Sequence, residues 1–390
     1  MRPSICVVTS TRADYGLLRQ LLFRLKASAQ VSLTLLVTGT HLSDAFGNTQ
    51  TEITADGFSY DAVSIPTEDD SKQGMAVTTG IAAVRFAEYF GSHSFDLLVV
   101  LGDRFEILSA ATAAMLMCIP IAHISGGDVT EGAVDDAVRH CITKMSTLHF
   151  PGCEQSRRRI IQMGEHPDTV FNVGEPGVEN CLHTAFLTTA ELNRSLGVGL
   201  FDKPYAVVTF HPVTKEENTA MTQMHALISA MEAFPDLNYL ITMANADAGG
   251  RAINNLWREA GAKHSNWLVV SSLGAVRYLS AAKSAALVLG NSSSGIVEAP
   301  SLGVPTVNIG DRQKGRMRAQ SVIDCEPERS AIVAAIEKAL TPEFKAIAGR
   351  TESPFGDGTT SEKIITELLA FLNSPLSSMK KQFYDVEFSL

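Results

Sequence analysis

The sequence has no C-x-x-C pair, no positive net charge, no apolar run long enough to span a bilayer and no internal repeat. Each absence removes a class of protein. The six cysteines, at positions 6, 118, 141, 153, 181 and 325, are scattered without paired spacing. That argues against a zinc ribbon or a disulfide scaffold and for reduced thiols in a cytosolic setting. Lys and Arg number 32 against 42 Asp and Glu, a net charge of −10. The chain therefore lacks the positive field that displaces counterions from a nucleic-acid backbone. The longest apolar stretch, Ala110 to Ala122, contains Thr112 and Pro120 and falls short of a membrane helix. The opening Met1-Arg2-Pro3-Ser4 leads into a short apolar-leaning run, Ile5 to Thr9, too brief for a secretory signal. Neither end shows a lipidation motif. A soluble cytoplasmic protein with no nucleic-acid or membrane partner is the expectation.

What is present is ordinary globular composition, 45% hydrophobic and 19% charged over 390 residues, enough for two or three domains at roughly 150 residues each. Apolar runs alternate with glycine or polar turns and helical stretches. The expected strands are Ile5–Thr9, Leu33–Thr38, Leu97–Leu101, Ile119–Ile124, Leu148–Phe150 and Val170–Val173. A second series follows at Tyr205–Phe210, Tyr239–Met243, Trp267–Ser271, Leu287–Leu289, Thr306–Ile309 and Val322–Asp324. These runs show no polar alternation, as parallel strands covered on both faces require. The fold class expected is α/β, two Rossmann-like doubly wound domains facing a cleft. The boundary is set at the turn Gly174-Glu175-Pro176-Gly177. Residues 1–175 form the first domain, completed by a C-terminal segment 361–390, and residues 176–360 form the second. The last helix, about Glu362–Asn373, spaces Ile364, Ile365, Leu368, Leu369 and Leu372 along one face.

Polar residues gather where these strands end. After the first strand, Thr11-Arg12-Ala13-Asp14 offers either an anion site at a helix N-terminus or a simple helix cap. Gly102-Asp103-Arg104 provides an acid or base beside a phosphate ligand, or an internal ion pair. The segment His123 to His140 holds Asp128, Glu131, Asp135 and Asp136, a density of carboxylates suited to paired acid–base work. Asp128 and Glu131 also have the spacing of a capping box. Asp135/Arg139 and Asp136/His140 have i,i+4 spacing on a helix. In the second half, His211-Pro212 and Asn245 lie at strand ends. Gly290-Asn291-Ser292-Ser293-Ser294-Gly295-Ile296-Val297-Glu298 joins a strand, a Gly/Ser loop and a helix, a phosphate-holding arrangement. Ile296 stands where a Walker A loop needs Lys. Gly310 to Arg318 carries four cations, including Arg312. A diphosphate-bearing ligand such as a sugar nucleotide fits this set.

Taken in order, these motifs resemble the hydrolysing UDP-N-acetylglucosamine 2-epimerases of bacterial sialic-acid synthesis. The resemblance implies a glycosyltransferase-B-like fold that uses neither metal nor nicotinamide, and a homo-oligomer, dimer or tetramer. It implies conversion of UDP-N-acetylglucosamine and water into N-acetylmannosamine and UDP, by elimination of UDP to a glycal and then hydration. Carried over by motif, Arg12, Arg104, His211, Asn245, Tyr278, Ser292, Ser293, Glu298 and Arg312 would hold the UDP-sugar, with Glu298 at the ribose and Tyr278 at the uracil. Asp103, Asp128, Glu131 and Asp135 would be the catalytic carboxylates, without a single base or acid assigned. Several relatives carry Glu directly after the His-Ile pair, where this chain has Ser125. That departure leaves a second substrate open, the UDP-2,4-diacetamido-2,4,6-trideoxy sugar of the legionaminic acid route. A non-hydrolysing epimerase, a non-catalytic sensor and a glycosyltransferase are the remaining alternatives.

Overall fold

The computed structural model describes residues 2–44, 48–69, 71–130, 134–212, 220–244, 250–374 and 380–387. It divides into two compact units, the first made of Met1–Asp128, Asp135–Glu179 and Phe355–Leu390, the second of Val129–Val134 and Asn180–Pro354.

The first unit holds a parallel six-stranded sheet. Its strands are β1 (Ser4–Thr9), β2 (Ser32–Thr38), β3 (Asp61–Val63), β4 (Leu97–Leu101), β5 (Ile121–Ile124) and β6 (Leu148–Phe150), in the order β3-β2-β1-β4-β5-β6. Every residue of β4 is buried, because alternate side chains feed two cores. Ile5, Val7, Leu97 and Val99 join Tyr15, Leu18 and Leu22 of helix Arg12–Ala27 and Ile364, Leu368 and Phe371 of helix Thr360–Leu372 on one face. Cys6, Val8, Leu98 and Val100 meet Phe86, Phe90, Ala110 and Ala114 on the other. Each fully buried large aliphatic contributes about 1.5–3 kcal/mol relative to exposure. The late helix is fixed at its start by Glu179, whose carboxylate accepts the Ser361 amide at 2.8 Å and hydroxyl at 2.5 Å; Arg24 Nε donates to that hydroxyl at 2.7 Å.

The second unit has β7 (Tyr205–Thr209), β8 (Asn238–Thr242), β9 (Trp267–Val270), β10 (Leu287–Gly290), β11 (Thr306–Ile309) and β12 (Val322–Cys325), also all parallel, in the order β12-β11-β10-β7-β8-β9. Numbered from its own first strand, each sheet runs 3-2-1-4-5-6. The strand order therefore reverses between β1 and β4 in one unit and between β7 and β10 in the other. The crevice outside the carboxyl ends at such a reversal is where open α/β sheets bind ligands.

Two expected elements need correction. Val170–Val173 is not a strand: it touches β6 through a single bridge, His149 to Val170. The Phe171 and Val173 amides reach the His149 and Pro151 carbonyls at 2.9 and 3.2 Å, but Pro151 has no N–H to return and the ladder stops there. Conversely, β3 was not expected, because three residues beginning with Asp61 give no apolar run. No described helix is long and apolar enough to cross a membrane.

Candidate functional site

In the first unit the β1 end turns into a helix through Thr11, whose hydroxyl caps the Asp14 amide at 3.3 Å. Asp14 answers by accepting the Ser10 hydroxyl at 2.6 Å, the Thr11 amide at 3.1 Å and the Ser10 amide at 3.2 Å. This capping box supplies a negative charge where the helix dipole is positive. Arg12 is the first residue of that helix and half-buried.

The β4 end places Asp103 and Arg104 after Gly102, which has a left-handed φ of +76°. Arg104 pairs with the buried Glu106 through Nη2 at 2.9 Å and Nε at 3.2 Å. The notion of an Asp–Arg pair closing this turn is thus replaced: Asp103 is held by Arg139 from helix Val134–Met145. Arg139 is buried, its other nitrogen donates to the Asp128 carbonyl at 2.9 Å, and Asp136 lies at 3.8 Å. Burial opposes the charge of Arg139, but the surrounding Asp103 and Asp128 outweigh that and raise its pKa. Asp136 and His140, expected at i,i+4 spacing, approach within 3.8 Å.

The β5 end runs Ser125-Gly126-Gly127-Asp128. Glu131, the other half of the expected capping box with Asp128, lies outside the described residues. Asp128 is buried and accepts the Ser156 hydroxyl at 2.5 Å. Upstream, His123 on β5 bonds Gly102 O through Nε2 at 2.7 Å and Thr143 through Nδ1 at 3.1 Å. Burial lowers its pKa to about 3, so it is a neutral brace between β4 and the helix.

In the second unit the β7 and β10 ends are laced together by Asn291. Its Oδ1 accepts the His211 amide at 2.7 Å and its Nδ2 donates to the His211 carbonyl at 2.8 Å. Gly290 has φ +130°, and a Cβ there would sit 1.9 Å from Thr209 O, so no other residue fits this backbone. From the loop after β11, Arg312 Nη1 and Gln313 Nε2 both donate to Asn291 O, at 3.1 and 2.9 Å. Ser292 caps helix Ser293–Ser301 with a neutral hydroxyl, accepting the Ser294 amide. Burial, and then the charge of Arg312, lower the His211 pKa to about 3, leaving a neutral imidazole at pH 7.

Glu298, in the same helix, accepts the Ser294 hydroxyl, and Tyr278 Oη donates to Ser294 Oγ at 2.8 Å. Burial raises the Glu298 carboxyl above its ordinary range, against the Ser294 bond. Burial and the charge of Glu298 raise the Tyr278 phenol, which stays protonated.

The structure thus brings together Asp103 with Arg139 and, through that arginine, Asp128; and separately His211, Ser292, Arg312, Tyr278 and Glu298, with Ser293 exposed at the first helical turn. Glu131 and Asn245 lie outside the described residues. Asp135 is exposed in the first turn of helix Val134–Met145. Sequence reasoning missed Arg139, Ser156, Glu175, Asn291 as a strand lace, Ser294 and Gln313. Asn291 and Ser294 stand inside the Gly/Ser loop, Glu175 inside the boundary turn, and Arg139 enters the sequence reading only as a helical-spacing partner of Asp135.

Two parallel sheets with the strand order 3-2-1-4-5-6 define a doubly wound α/β protein of Rossmann type. The chain belongs to the UDP-N-acetylglucosamine 2-epimerase family, whose model matches residues 24–369. It is 36% identical over 383 residues to the GDP/UDP-N,N'-diacetylbacillosamine 2-epimerase (hydrolyzing) of Campylobacter jejuni, covering 98% of this chain and 99% of that one. It is 37% identical over 362 residues to the UDP-N,N'-diacetylbacillosamine 2-epimerase (hydrolyzing) of Legionella pneumophila, covering 92% and 93%. The crystal structure of UDP-GlcNAc 2-epimerase from Neisseria meningitidis bound to UDP-GlcNAc superposes with a TM-score of 0.79 at 17% identity, over 94% of this chain and all of that one.

Proposed function

We propose that the chain is a hydrolysing 2-epimerase of a UDP-linked 2-acetamido sugar. A base removes the C2 proton, the C1–O bond breaks with its electron pair leaving on UDP, and a glycal remains. Water then adds across the double bond, its oxygen to C1 and a proton to the opposite face of C2, giving the free 2-epimer. The observation that carries this reading is the split of chemistry between the units. In one, Arg139 holds the Asp103 carboxylate and the Asp128 backbone carbonyl. A neutral-capped helix, Arg312 and the Tyr278–Ser294–Glu298 chain make a phosphate and ribose set in the other. Asp103, Asp128, Asp135 and Glu131 serve the sugar. Arg12, Arg104, His211, Asn245, Ser292, Ser293 and Arg312 serve the nucleotide, with Glu298 on the ribose and Tyr278 at the base.

Of the two substrates, we favour UDP-N,N'-diacetylbacillosamine, which is the 2,4-diacetamido-2,4,6-trideoxy sugar. The relatives named for it are 36% and 37% identical over nearly the whole chain. UDP-N-acetylglucosamine is the second reading. The test is to incubate the full chain with each UDP-sugar in D₂O and follow it by NMR. Free UDP and a 2-epimer deuterated at C2 are expected. Accumulation of a UDP-linked epimer rejects hydrolysis, and absence of turnover with both rejects the reaction.

A further inference from the structure

Ser125 stands directly after β5 with φ +60°, left-handed backbone in a residue that is not glycine. A conformation of this kind costs about 1–3 kcal/mol and persists only where its surroundings enforce it. Here the Ser125 amide donates to Phe150 O at 2.9 Å, and its hydroxyl donates to Glu175 Oε2 at 2.7 Å. Glu175 arrives from fifty residues away and is buried, whereas Ser125 is half-buried. The Glu175 carboxyl lies over Gly152, where a Cβ would come within 1.9 Å of Oε1 and 2.3 Å of Cδ. Its backbone is tied by its amide to Phe355 O at 2.8 Å and by its carbonyl to Thr360 Oγ1 at 3.3 Å. The segment Phe355–Thr360 holds the Glu175 backbone, and Gly152 leaves the room its carboxylate takes behind Ser125.

A hydroxyl has one proton and two lone pairs. With that proton given to a buried carboxylate, a charge-assisted bond, the oxygen meets anything beyond it as an acceptor. We propose that Ser125 accepts a hydrogen bond from a donor group of the sugar, an amide N–H or a hydroxyl, and that Glu175 is the positioning residue that makes it do so. The inference rests on the reading of the first unit as the sugar side and deepens it. Glu175 acts through Ser125, so the two residues should be coupled and should affect the sugar but not the nucleotide.

The experiment compares wild type, Ser125→Ala, Glu175→Gln and the double variant of the full chain. It measures kcat/KM for UDP-N,N'-diacetylbacillosamine and for UDP-N-acetylglucosamine, and calorimetric affinity for UDP alone. Each single variant should lose about tenfold in kcat/KM, with UDP affinity unchanged, and the double variant should lose no more than either single. Wild-type kcat/KM in Ser125→Ala, an equal loss of UDP affinity, or independent additive losses overturn the proposal. Should Glu175→Gln not fold, Ser125→Ala decides alone by the sugar-against-UDP split. If wild type turns over neither substrate, the reaction is rejected and the pair is read from binding. Ser125→Ala should then weaken each intact UDP-sugar that wild type binds by about tenfold and spare UDP; wild-type affinity, or UDP-sugar binding no tighter than UDP in wild type, overturns it.

Discussion

The helix after β1 and the helix after β10 both begin at a strand end, but one carries its own anion and the other a neutral cap. Asp14 fills the start of Arg12–Ala27, taking the Ser10 and Thr11 amides, while Ser292 begins Ser293–Ser301 with a hydroxyl. A helix N-terminus is worth roughly half a positive charge. In the first unit that charge is already answered by a carboxylate, which leaves Arg12 as the cation of the turn. In the second it is supplemented by Arg312 at the same loop. Both caps are neutral hydroxyls, Thr11 and Ser292; the two electrical characters come from the third helical residue, Asp14 in one and Gly295 in the other. A like division appears at the ends of β5 and β11. The β5 end has Asp128 and Ser125 backed by Glu175, whereas the β11 end has Arg312 and Gln313.

The comparison breaks most visibly at Asp103. Replacing Asp103 with Asn should lower kcat by about 1,000-fold while UDP affinity, measured by calorimetry, stays within about threefold of wild type. Lost UDP affinity would mean that the nucleotide depends on the first unit's carboxylates. Circular dichroism of the same variant checks that the buried Arg139, deprived of its partner, has not unfolded the unit.

Glu298→Ala should act on the other side, weakening UDP by about tenfold with a smaller change in kcat. Its pH dependence sharpens the point. Burial raises the Glu298 carboxyl, so UDP affinity should fall as pH drops through a range above that of ordinary carboxylates; a pH-independent affinity would remove Glu298 from the ribose. For the free protein the sign is opposite. A raised folded-state pKa contributes stability that is fully present below the ordinary carboxylate range and is lost as pH climbs through the folded value.

Smallest is Asp14→Ala. Loss of the capping box should cost about 1–2 kcal/mol in denaturant unfolding, with UDP affinity unchanged. Tighter UDP binding in that variant would show that the first helix can take the phosphate once its own anion is gone.

Much of this was legible because local rules govern it. Parallel strands buried on both faces announce themselves as unbroken apolar runs, and the Gly290 to Glu298 segment has the form of a strand, loop and helix. The missed pairs have one physical cause. Arg139 meets Asp103, Glu175 reaches Ser125, and Asn291 completes a ladder with His211; each partner is tens of residues off. Sequence spacing carries no information about such pairs until the sheet has placed them. Val170–Val173 stops short of a strand for a local reason, since Pro151 has no N–H to give the ladder.

Helix Thr360–Leu372 bears on synthesis. Ile364, Leu368 and Phe371 belong to the same core as Tyr15, Leu18 and Leu22. During translation the first unit's sheet emerges early, with the face that this helix will cover still open to water. The whole of Asn180–Pro354 leaves the ribosome before the cover arrives. The unit that begins first is therefore finished last, and its open apolar face is the stretch of nascent chain that a chaperone has most reason to hold.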